Sequence, residues 1–347
     1  MIDTAAGARK AARGWVEETA RAMPGYRAAF LAGSITRLPD DAIVPPWSDT
    51  DIMVVLDGEA PAKAGKFRSG GALLEGTFLS QASLADAETV LGSYHTANAL
   101  ATGAIVDDPT GWLAGVQASV RLEFPRRQRV EARCASVRAG VERGLAAISE
   151  RGSLAERAQG WVFPTGVMTH ILLVAGLRNP TVRRRYETVR ELLQAGGRLD
   201  LHERLLDLLG SRDMERETVE RHLDTVTWLF DAAAPVRADS YRFSSDITAE
   251  ARPISIDGSR DMIVRGFHRE AMFWLVVTGS RALQKLQHGP RPGDTASYEA
   301  GFADLLADLG IVGFDDLLTR RDRALAVLPE VREAAQDIMD STPEIVP

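Results

Sequence analysis

The sequence has only one cysteine, Cys134, and its six histidines are scattered through 347 residues. A single cysteine excludes an internal disulfide and a thiolate metal cage, and it fits a reducing cytoplasm. No histidine has another three or four residues away, so the spacing that favours zinc ligation on a helix is missing. We therefore predict a cytoplasmic protein without a zinc site.

A net positive charge and a long apolar run are also missing. The formal net charge is −7 and the isoelectric point is near 5.5, which argues against broad nucleic-acid binding because that usually requires a basic surface. The longest apolar stretch, residues 167–177, is too short to cross a bilayer and contains His170. We predict no membrane segment and no nucleic-acid partner. The composition leaves the oligomeric state open.

The chain is longer than a usual single domain, and its two parts differ in pattern. Four segments have the pattern of short strands ended by turns: 26–34, 51–56, 72–80 and 101–111. From about residue 112 onward, apolar residues recur at helical spacing. We predict an α+β protein, with a small mixed-sheet domain over residues 1–124 followed by an all-helical domain over residues 125–347.

Two aspartates stand with one residue between them at the start of the second predicted strand. On a strand, residues two apart point to the same face, so Asp49 and Asp51 present their carboxylates in one direction. The polar segment 57–71 is predicted to be a loop that makes the second and third strands hairpin neighbours, which would bring Glu75 to the same face. Three carboxylates suit Mg²⁺, and two such ions about 4 Å apart can clamp a phosphoryl transfer. A cation here would offset the repulsion between the aspartates.

The sequence AGSITR, residues 32–37, has the features of a phosphate-binding turn. Gly33 allows a close backbone approach, and Ser34 offers both its N–H and its hydroxyl. A helix that begins after this turn would direct free N–H groups at an anion. Arg37 would reach the same anion with two hydrogen bonds.

Each of these features also has a plain structural interpretation. The stretch Ser48-Asp49-Thr50-Asp51 has the composition of a solvated turn before a strand. The Gly33-Ser34 pair is compatible with an ordinary strand-ending turn, and Glu75 with an edge-strand residue that faces water. The order of the elements along the chain favours the catalytic interpretation over these.

That order resembles the DNA polymerase β-like nucleotidyltransferase superfamily, and within it the aminoglycoside (antibiotic) nucleotidyltransferase branch. The resemblance covers roughly the first 120 residues and rests on these elements: Gly33-Ser34-x-x-Arg37, then Ser48-Asp49-Thr50-Asp51 leading an apolar strand, then Glu75 in the next strand. It implies a small nucleotidyltransferase domain followed by a helical substrate domain. It also implies that Asp49 and Asp51 hold Mg²⁺, and that Glu75 completes the metal site and helps to deprotonate the acceptor hydroxyl.

The resemblance further implies where the nucleotide binds. Ser34 and Arg37 would contact the triphosphate, with Gly33 and Ser48 in the same nucleotide-binding set. The expected function is a Mg²⁺-dependent transfer of a nucleoside monophosphate, from ATP or another triphosphate, to a hydroxyl of a small molecule such as an aminoglycoside-like antibiotic. Two alternatives stay open: a toxin-type enzyme that modifies a protein or tRNA, and a catalytically retired nucleotide-binding module.

Two segments of the helical domain are candidates for the wall of an acceptor site. Residues 179–186 contain the triplet Arg183-Arg184-Arg185, which fits either a second phosphate clamp or a solvated helix face. Residues 268–274, HREAMFW, mix charged and aromatic side chains, which fit either a ligand site or a core helix.

Overall fold

The computed structural model describes residues 4–61, 64–289 and 295–347. The chain divides into two compact units, of which the first comprises residues 1–133 with 344–347 and the second residues 134–343. A small mixed sheet in the first unit and helices in the second make this an α+β protein, as predicted. The predicted domain boundary was placed at residue 124, whereas the first unit continues to Arg133 and regains the last four residues of the chain.

Five strands form one sheet in the first unit, in the spatial order β3-β4-β2-β1-β5. Their bounds are Tyr26–Ala32 (β1), Thr50–Leu56 (β2), Gly65–Ser69 (β3), Ala72–Ser80 (β4) and Ala104–Asp107 (β5). β1 lies antiparallel to both β2 and β5, β2 lies parallel to β4, and β3 lies antiparallel to β4. The four predicted strands are all present, and β3 is a fifth strand within the segment that was predicted to be a loop.

The prediction that β2 and β4 form a hairpin is therefore wrong. The hairpin is formed by β3 and β4, where Gly70 and Gly71 connect the paired residues Ser69 and Ala72. Both glycines have positive φ values, 57° and 92°, which a two-residue type I′ turn requires. The chain leaves the end of β2, forms β3 at the edge of the sheet and returns as β4 between them, so β2 and β4 run in parallel.

Helices cover both faces of this sheet. Successive side chains of its central strands point to opposite faces, and they are apolar on both. Helix α1 (Ala5–Glu18) packs on the face that includes Ile52 and Val54. The opposite face includes Phe30 and Val55, and it is covered by three helices: α2 (Ala87–Leu91), α3 (Tyr94–Thr102) and α4 (Trp112–Glu123). Since Asp51 is one residue before Ile52, its side chain lies on the face covered by α2–α4.

Within its described residues the second unit has helices and turns but no strand. Its helices are α5 (Arg127–Ala146, which begins in the first unit), α6 (Leu154–Ala175), α7 (Arg185–Ala195), α8 (Leu199–Leu209), α9 (Arg216–Ala233), α10 (Gly258–Val264), α11 (His268–Gln287), α12 (Ala296–Asp308) and α13 (Phe314–Ser341). A single π-helical turn, Pro253–Asp257, precedes α10. α6 begins with a capping box in which Ser153 and Glu156 satisfy each other's backbone N–H groups.

Within the described residues, α6 is the one helix long and apolar enough to cross a membrane by length and composition. It has 22 residues, twice the length of the apolar stretch 167–177, and 78% of its most apolar window is buried inside the structure. Such burial is the pattern of a core helix in a soluble protein, because a spanning helix presents its apolar surface to lipid.

The aromatic residues of the segment 268–274 belong to the core of the second unit. Met272 and Phe273 are fully buried, and Trp274 is nearly so. The arginine triplet before α7 is also largely engaged by this unit, because Arg183 donates to the Ile254 carbonyl at 2.6 Å and the Arg185 guanidinium lies 4.1 Å from the Phe273 ring centre. Arg185 is only 1% exposed, whereas the Arg184 side chain is 48% exposed and pairs with Glu187, so only part of the triplet faces solvent.

Candidate metal and phosphate site

The structure brings Asp49, Asp51 and Glu75 together on one face of the sheet. Asp51 in β2 and Glu75 in β4 are direct partners in the parallel ladder, so their side chains point the same way from adjacent strands. Asp49 precedes β2 by one residue and has the same orientation as Asp51 by the two-residue period of a strand. One carboxylate oxygen from each of the three lies within 4.8 Å of the others. All three residues are partly buried.

Gly33, the first residue after β1, gives the Asp51 carboxylate its space. Its neighbour Ala32 pairs with Asp51 across the β1–β2 ladder. Gly33 has φ 73° and ψ −159°, a backbone region that is essentially restricted to glycine. A Cβ atom at this position would overlap Oδ2 of Asp51. The predicted glycine therefore serves the carboxylates directly, in addition to any role beside a phosphate.

A lysine outside the predicted set of site residues completes the cluster. Lys66 in β3 is the ladder partner of Glu75, and its Nζ lies 3.0 Å from Glu75 Oε2 and also contacts Asp49 Oδ2. Its side chain is only 10% exposed. Burial would lower the pKa of Lys66, but the charges of Asp49 and Glu75 and the hydrogen bond to Asp49 outweigh burial and raise the pKa. The ammonium group is therefore charged at neutral pH.

The Gly70-Gly71 pair was the signal that would have placed Lys66 in this cluster. Two glycines between apolar or alternating segments predict a two-residue hairpin turn, and such a turn pairs the residues that flank it. Counting back from that turn sets Lys66 opposite Glu75. The positive charge beside the two aspartates is thus supplied, at least in part, by the protein itself.

The donor set fits Mg²⁺, because three carboxylates provide hard oxygen ligands close enough together to share one ion. Two of the three carboxylates, Asp49 and Glu75, already contact a cation, the Lys66 ammonium. Asp49, Asp51 and Glu75 are the residues that would hold the ion.

The turn after β1 differs from the predicted helix start. Ser34–Thr36 forms a single 3₁₀ turn with Ile35 buried, and Arg37 closes it by donating its backbone N–H to the Ser34 carbonyl at 3.1 Å. One turn of this length does not provide the aligned dipoles of a helix. The expectation of a helix N-terminus as anion site is therefore wrong.

The structure nevertheless leaves the predicted phosphate ligands near solvent. Ser34 and Arg37 are both exposed and follow directly on Gly33. Arg9 in α1 holds the loop beyond them, since it donates to the Ile35 and Leu38 carbonyls at 2.6 and 3.1 Å. The loop is thus fixed to the first unit.

Ser48 lies immediately before the aspartates and is half-buried. Its backbone N–H donates to the Pro45 carbonyl at 2.9 Å, which tightens the turn that leads into β2. This contact involves only the main chain and does not test the role of the side chain. The Ser48 hydroxyl therefore stays a predicted nucleotide ligand.

Comparison of the chain with protein-family models and with curated proteins gives no match.

Proposed function

We propose that this protein is a Mg²⁺-dependent nucleotidyltransferase of the DNA polymerase β-like type. It would transfer a nucleoside monophosphate, with ATP as the donor, to a hydroxyl group of a small molecule. The observation that supports this proposal best is the convergence of Asp49, Asp51 and Glu75 from adjacent parallel strands, with Gly33 leaving space for the Asp51 carboxylate. Three converging carboxylates beside an exposed serine and arginine suit a metal–triphosphate complex.

The reaction forms one bond and breaks one at the α-phosphorus, and it moves one proton. The acceptor oxygen attacks the α-phosphorus, the bond from that phosphorus to the oxygen bridging to the β-phosphate breaks, and pyrophosphate leaves with that electron pair. The acceptor proton passes to a carboxylate, for which Glu75 is the candidate because it lies at the centre of the Lys66–Glu75–Asp51 row of ladder partners. Mg²⁺, when bound, would neutralise charge on the phosphates.

The remaining residues would position the nucleotide. Ser34 and Arg37 supply hydrogen-bond donors for the triphosphate, and the Arg37 guanidinium is suited to two parallel bonds to phosphate oxygens. Catalysis of this kind depends on positioning and on charge neutralisation more than on covalent chemistry. An antibiotic of the aminoglycoside type is the acceptor class we propose, in the cytoplasm, where ATP and Mg²⁺ are available.

Lys66 favours a second candidate function, a nucleotide-binding module without catalysis. Three uncompensated carboxylates would repel one another, which argues against keeping them in a protein that does not bind metal. Because the Lys66 ammonium contacts two of them, part of that repulsion is relieved without a metal ion. A module that binds nucleotide but does not turn it over is therefore physically reasonable for this site.

A turnover experiment separates the candidates. The protein is incubated with each of the four nucleoside triphosphates, Mg²⁺ and a panel of hydroxyl-bearing antibiotics, and pyrophosphate release is followed. Release that requires a small-molecule acceptor, and that Asp51→Asn abolishes, is the expected result. Label from an α-phosphate on protein or RNA would instead indicate a toxin-type enzyme. Nucleotide binding without release under any of these conditions would indicate the non-catalytic module.

A further inference from the structure

A small apolar pocket lies within the second unit, between the start of α6, the end of α12 and the start of α13. Its volume is about 80 Å³. Four of the apolar residues that line it are buried: Ala158, Leu306, Ile311 and Leu317. Val312, which also lines it, is 84% exposed. The pocket therefore runs from the core of this unit to solvent.

The loop that forms one wall of the pocket is held by hydrogen bonds. The Ile311 N–H donates to the Leu306 carbonyl at 2.9 Å, which turns the chain back at the end of α12. The Arg320 guanidinium in α13 donates to the Leu309 carbonyl and, at 2.6 Å, to the Asp207 carbonyl. The pocket is thus formed by fixed main chain and does not depend on a ligand for its shape.

Arg157 is the one residue with a charged side chain among the described residues that line the pocket. Its Nε is buried and has no hydrogen-bond partner within the described part of the chain. A buried donor on a charged group is unfavourable when it stays unpaired, more so than a neutral donor. An acceptor beside Arg157 would satisfy it.

The acidic side chains that flank the pocket are already engaged by the main chain. Glu156, the neighbour of Arg157, accepts from the Ser153 N–H at 2.7 Å. Asp316 Oδ2 accepts from the N–H groups of Val312 and Gly313, both at 2.8 Å. These two carboxylates cap α6 and α13, and neither forms an ion pair with Arg157 in the described structure. The charge of Arg157 is therefore available to an external anion.

The size and the lining of the pocket limit what can enter it. An apolar cavity of about 150 Å³ holds benzene, so a volume roughly half as large accepts a short branched alkyl group. A carboxylate presents two oxygens in the geometry that a guanidinium matches with parallel hydrogen bonds. A short monocarboxylic acid carries both groups at the required separation.

We propose that this pocket binds a short-chain, branched monocarboxylate, with its alkyl group against Leu306 and Leu317 and its carboxylate on Arg157. The site is separate from the Asp49–Asp51–Glu75 cluster and independent of the proposed function, because every described residue that lines it belongs to the second unit.

The test titrates the full-length protein with 3-methylbutanoate and with its neutral isostere 3-methylbutanamide, at constant ionic strength. Calorimetry gives the affinities, and saturation-transfer NMR shows whether the methyl protons of the ligand contact the protein. We expect the acid to bind with a dissociation constant in the millimolar range, as suits so small a ligand, and the amide to bind at least about tenfold more weakly.

Three variants locate the binding. Arg157→Met keeps the apolar stem without the charge and should weaken binding of the acid by at least about tenfold. Arg151→Met is the matched control, because Arg151 is an exposed arginine of the same unit that does not line the pocket, and it should leave the affinity unchanged. Ala158→Leu fills the pocket and should abolish binding. Circular dichroism verifies folding, and Arg157→Gln and Ala158→Val replace any variant that does not fold.

Four results would overturn the inference: no saturable binding of the acid by the wild type, equal affinities for acid and amide, an unchanged affinity in the Arg157 variant, or equal losses in the Arg157 and Arg151 variants. The C-terminus of another protein that ends in leucine carries the same two groups. An acetylated tripeptide with a free C-terminal leucine that binds at least about tenfold more tightly than the free acid would therefore assign the pocket to a protein partner and refute the small-molecule site.

Discussion

The Asp51 carboxylate lies where a side chain on Gly33 would have to be. The two residues are on neighbouring strands: Gly33 directly follows Ala32, the ladder partner of Asp51, and its φ of 73° is open to few residues other than glycine. Gly33, which was predicted to belong to a phosphate-binding turn, is therefore also required by the position of the Asp51 carboxylate.

Gly33→Ala is accordingly expected to damage metal binding as well as stability. The strained backbone should lower the free energy of unfolding by about 1–3 kcal/mol, and the displaced carboxylate should weaken Mn²⁺ binding by at least about tenfold. Gly58→Ala is the matched control, because Gly58 has a similar φ of 82° at the other end of β2 with no atom near its would-be Cβ. Both variants should lose stability in urea unfolding, but only Gly33→Ala should lose metal affinity. Equal metal affinity in the two would contradict the assignment.

Asp49→Asn and Asp51→Asn are each expected to reduce turnover to less than about a tenth of the wild-type value, because metal ligation contributes several kcal/mol to such reactions. Their effects on stability without metal should differ. Asp49→Asn removes one of the two carboxylates that contact the buried Lys66 ammonium and should lower the free energy of unfolding by about 1–2 kcal/mol. Asp51→Asn removes one of the repelling charges and should cost less. The measurement is urea unfolding in the presence of a chelator, and an Asp51→Asn variant less stable than Asp49→Asn would contradict this prediction.

Arg37→Ala should weaken triphosphate binding by about tenfold or more, since its proposed partner is the phosphate chain. Binding of Mn²⁺ alone should change little, because the metal ligands are carboxylates. Arg27→Ala is the control: Arg27 is also an exposed arginine of the first unit, but it pairs with Asp57 at the opposite end of the β1–β2 pair. Calorimetric titration with α,β-methylene-ATP gives the affinities, and equal values for the two variants would remove Arg37 from the site.

A buried pair in the second unit should make stability depend on pH. His202 and Glu270 are almost completely buried, with His202 Nε2 3.7 Å from Glu270 Oε1. Burial lowers the pKa of His202 to about 4 from an ordinary value of 6.5, so between these values the unfolded chain binds more protons. The contribution of His202 is complete above pH 6.5 and is lost as the pH falls toward 4, with an upper limit of roughly 3 kcal/mol.

Glu270 acts in the opposite direction, because burial raises its pKa and the folded chain then binds the extra proton. Urea unfolding between about pH 7.5 and pH 4.5 should therefore show a flatter profile for His202→Leu and a steeper loss at low pH for Glu270→Gln. Changes of the same sign in both variants would show that this pair does not set the pH dependence. His222 and His268, whose pKa values burial also lowers, would account for the slope that remains in His202→Leu.

Two glycines of α5 provide a test of packing in the same unit. A Cβ at Gly144 would lie 2.9 Å from Cβ of Pro164 in α6, whereas a Cβ at Gly140 would meet nothing within 4 Å. Gly140→Ala should raise the free energy of unfolding by up to about 1 kcal/mol through helix propensity. At Gly144 the clash should cancel or reverse this gain. Thermal unfolding of both variants is the measurement, and equal stabilisation would mean that the α5–α6 contact is looser than described.

The strands of this fold could be predicted because each is a short apolar segment bounded by turn residues. β4 was predicted with the bounds it has, Ala72–Ser80, and β2 within one residue. β3 could not be found from apolar content, since Gly65–Ser69 has one large apolar residue, Phe67, and its stability as a strand comes from pairing with β4. The parallel arrangement of β2 and β4 follows from that missed strand.

Site residues could be predicted where the direction of a side chain follows from the two-residue alternation within one strand. They could not be predicted where it follows from the register between two strands. Asp49 and Asp51 share a face on any strand, and Glu75 was placed beside them although the predicted hairpin was wrong. Lys66 required the register of β3 on β4, which sequence patterns specify only through the turn. A helix was predicted to follow β1, but the structure has one 3₁₀ turn there. The pattern Ser-x-x-Arg is compatible with both.

The position of β3 at the rim of the sheet has a consequence for self-association. Within the described residues β3 is bonded to β4 alone, so its other side offers the main-chain donors and acceptors to which a strand of another molecule can add. Proteins discourage such addition by placing charged side chains, lysine above all, on edge strands and by directing some of them inward. Lys66 and Arg68 give β3 two charges in five residues. We therefore expect the lysine that contacts Asp49 and Glu75 also to disfavour strand addition at the exposed margin of the sheet.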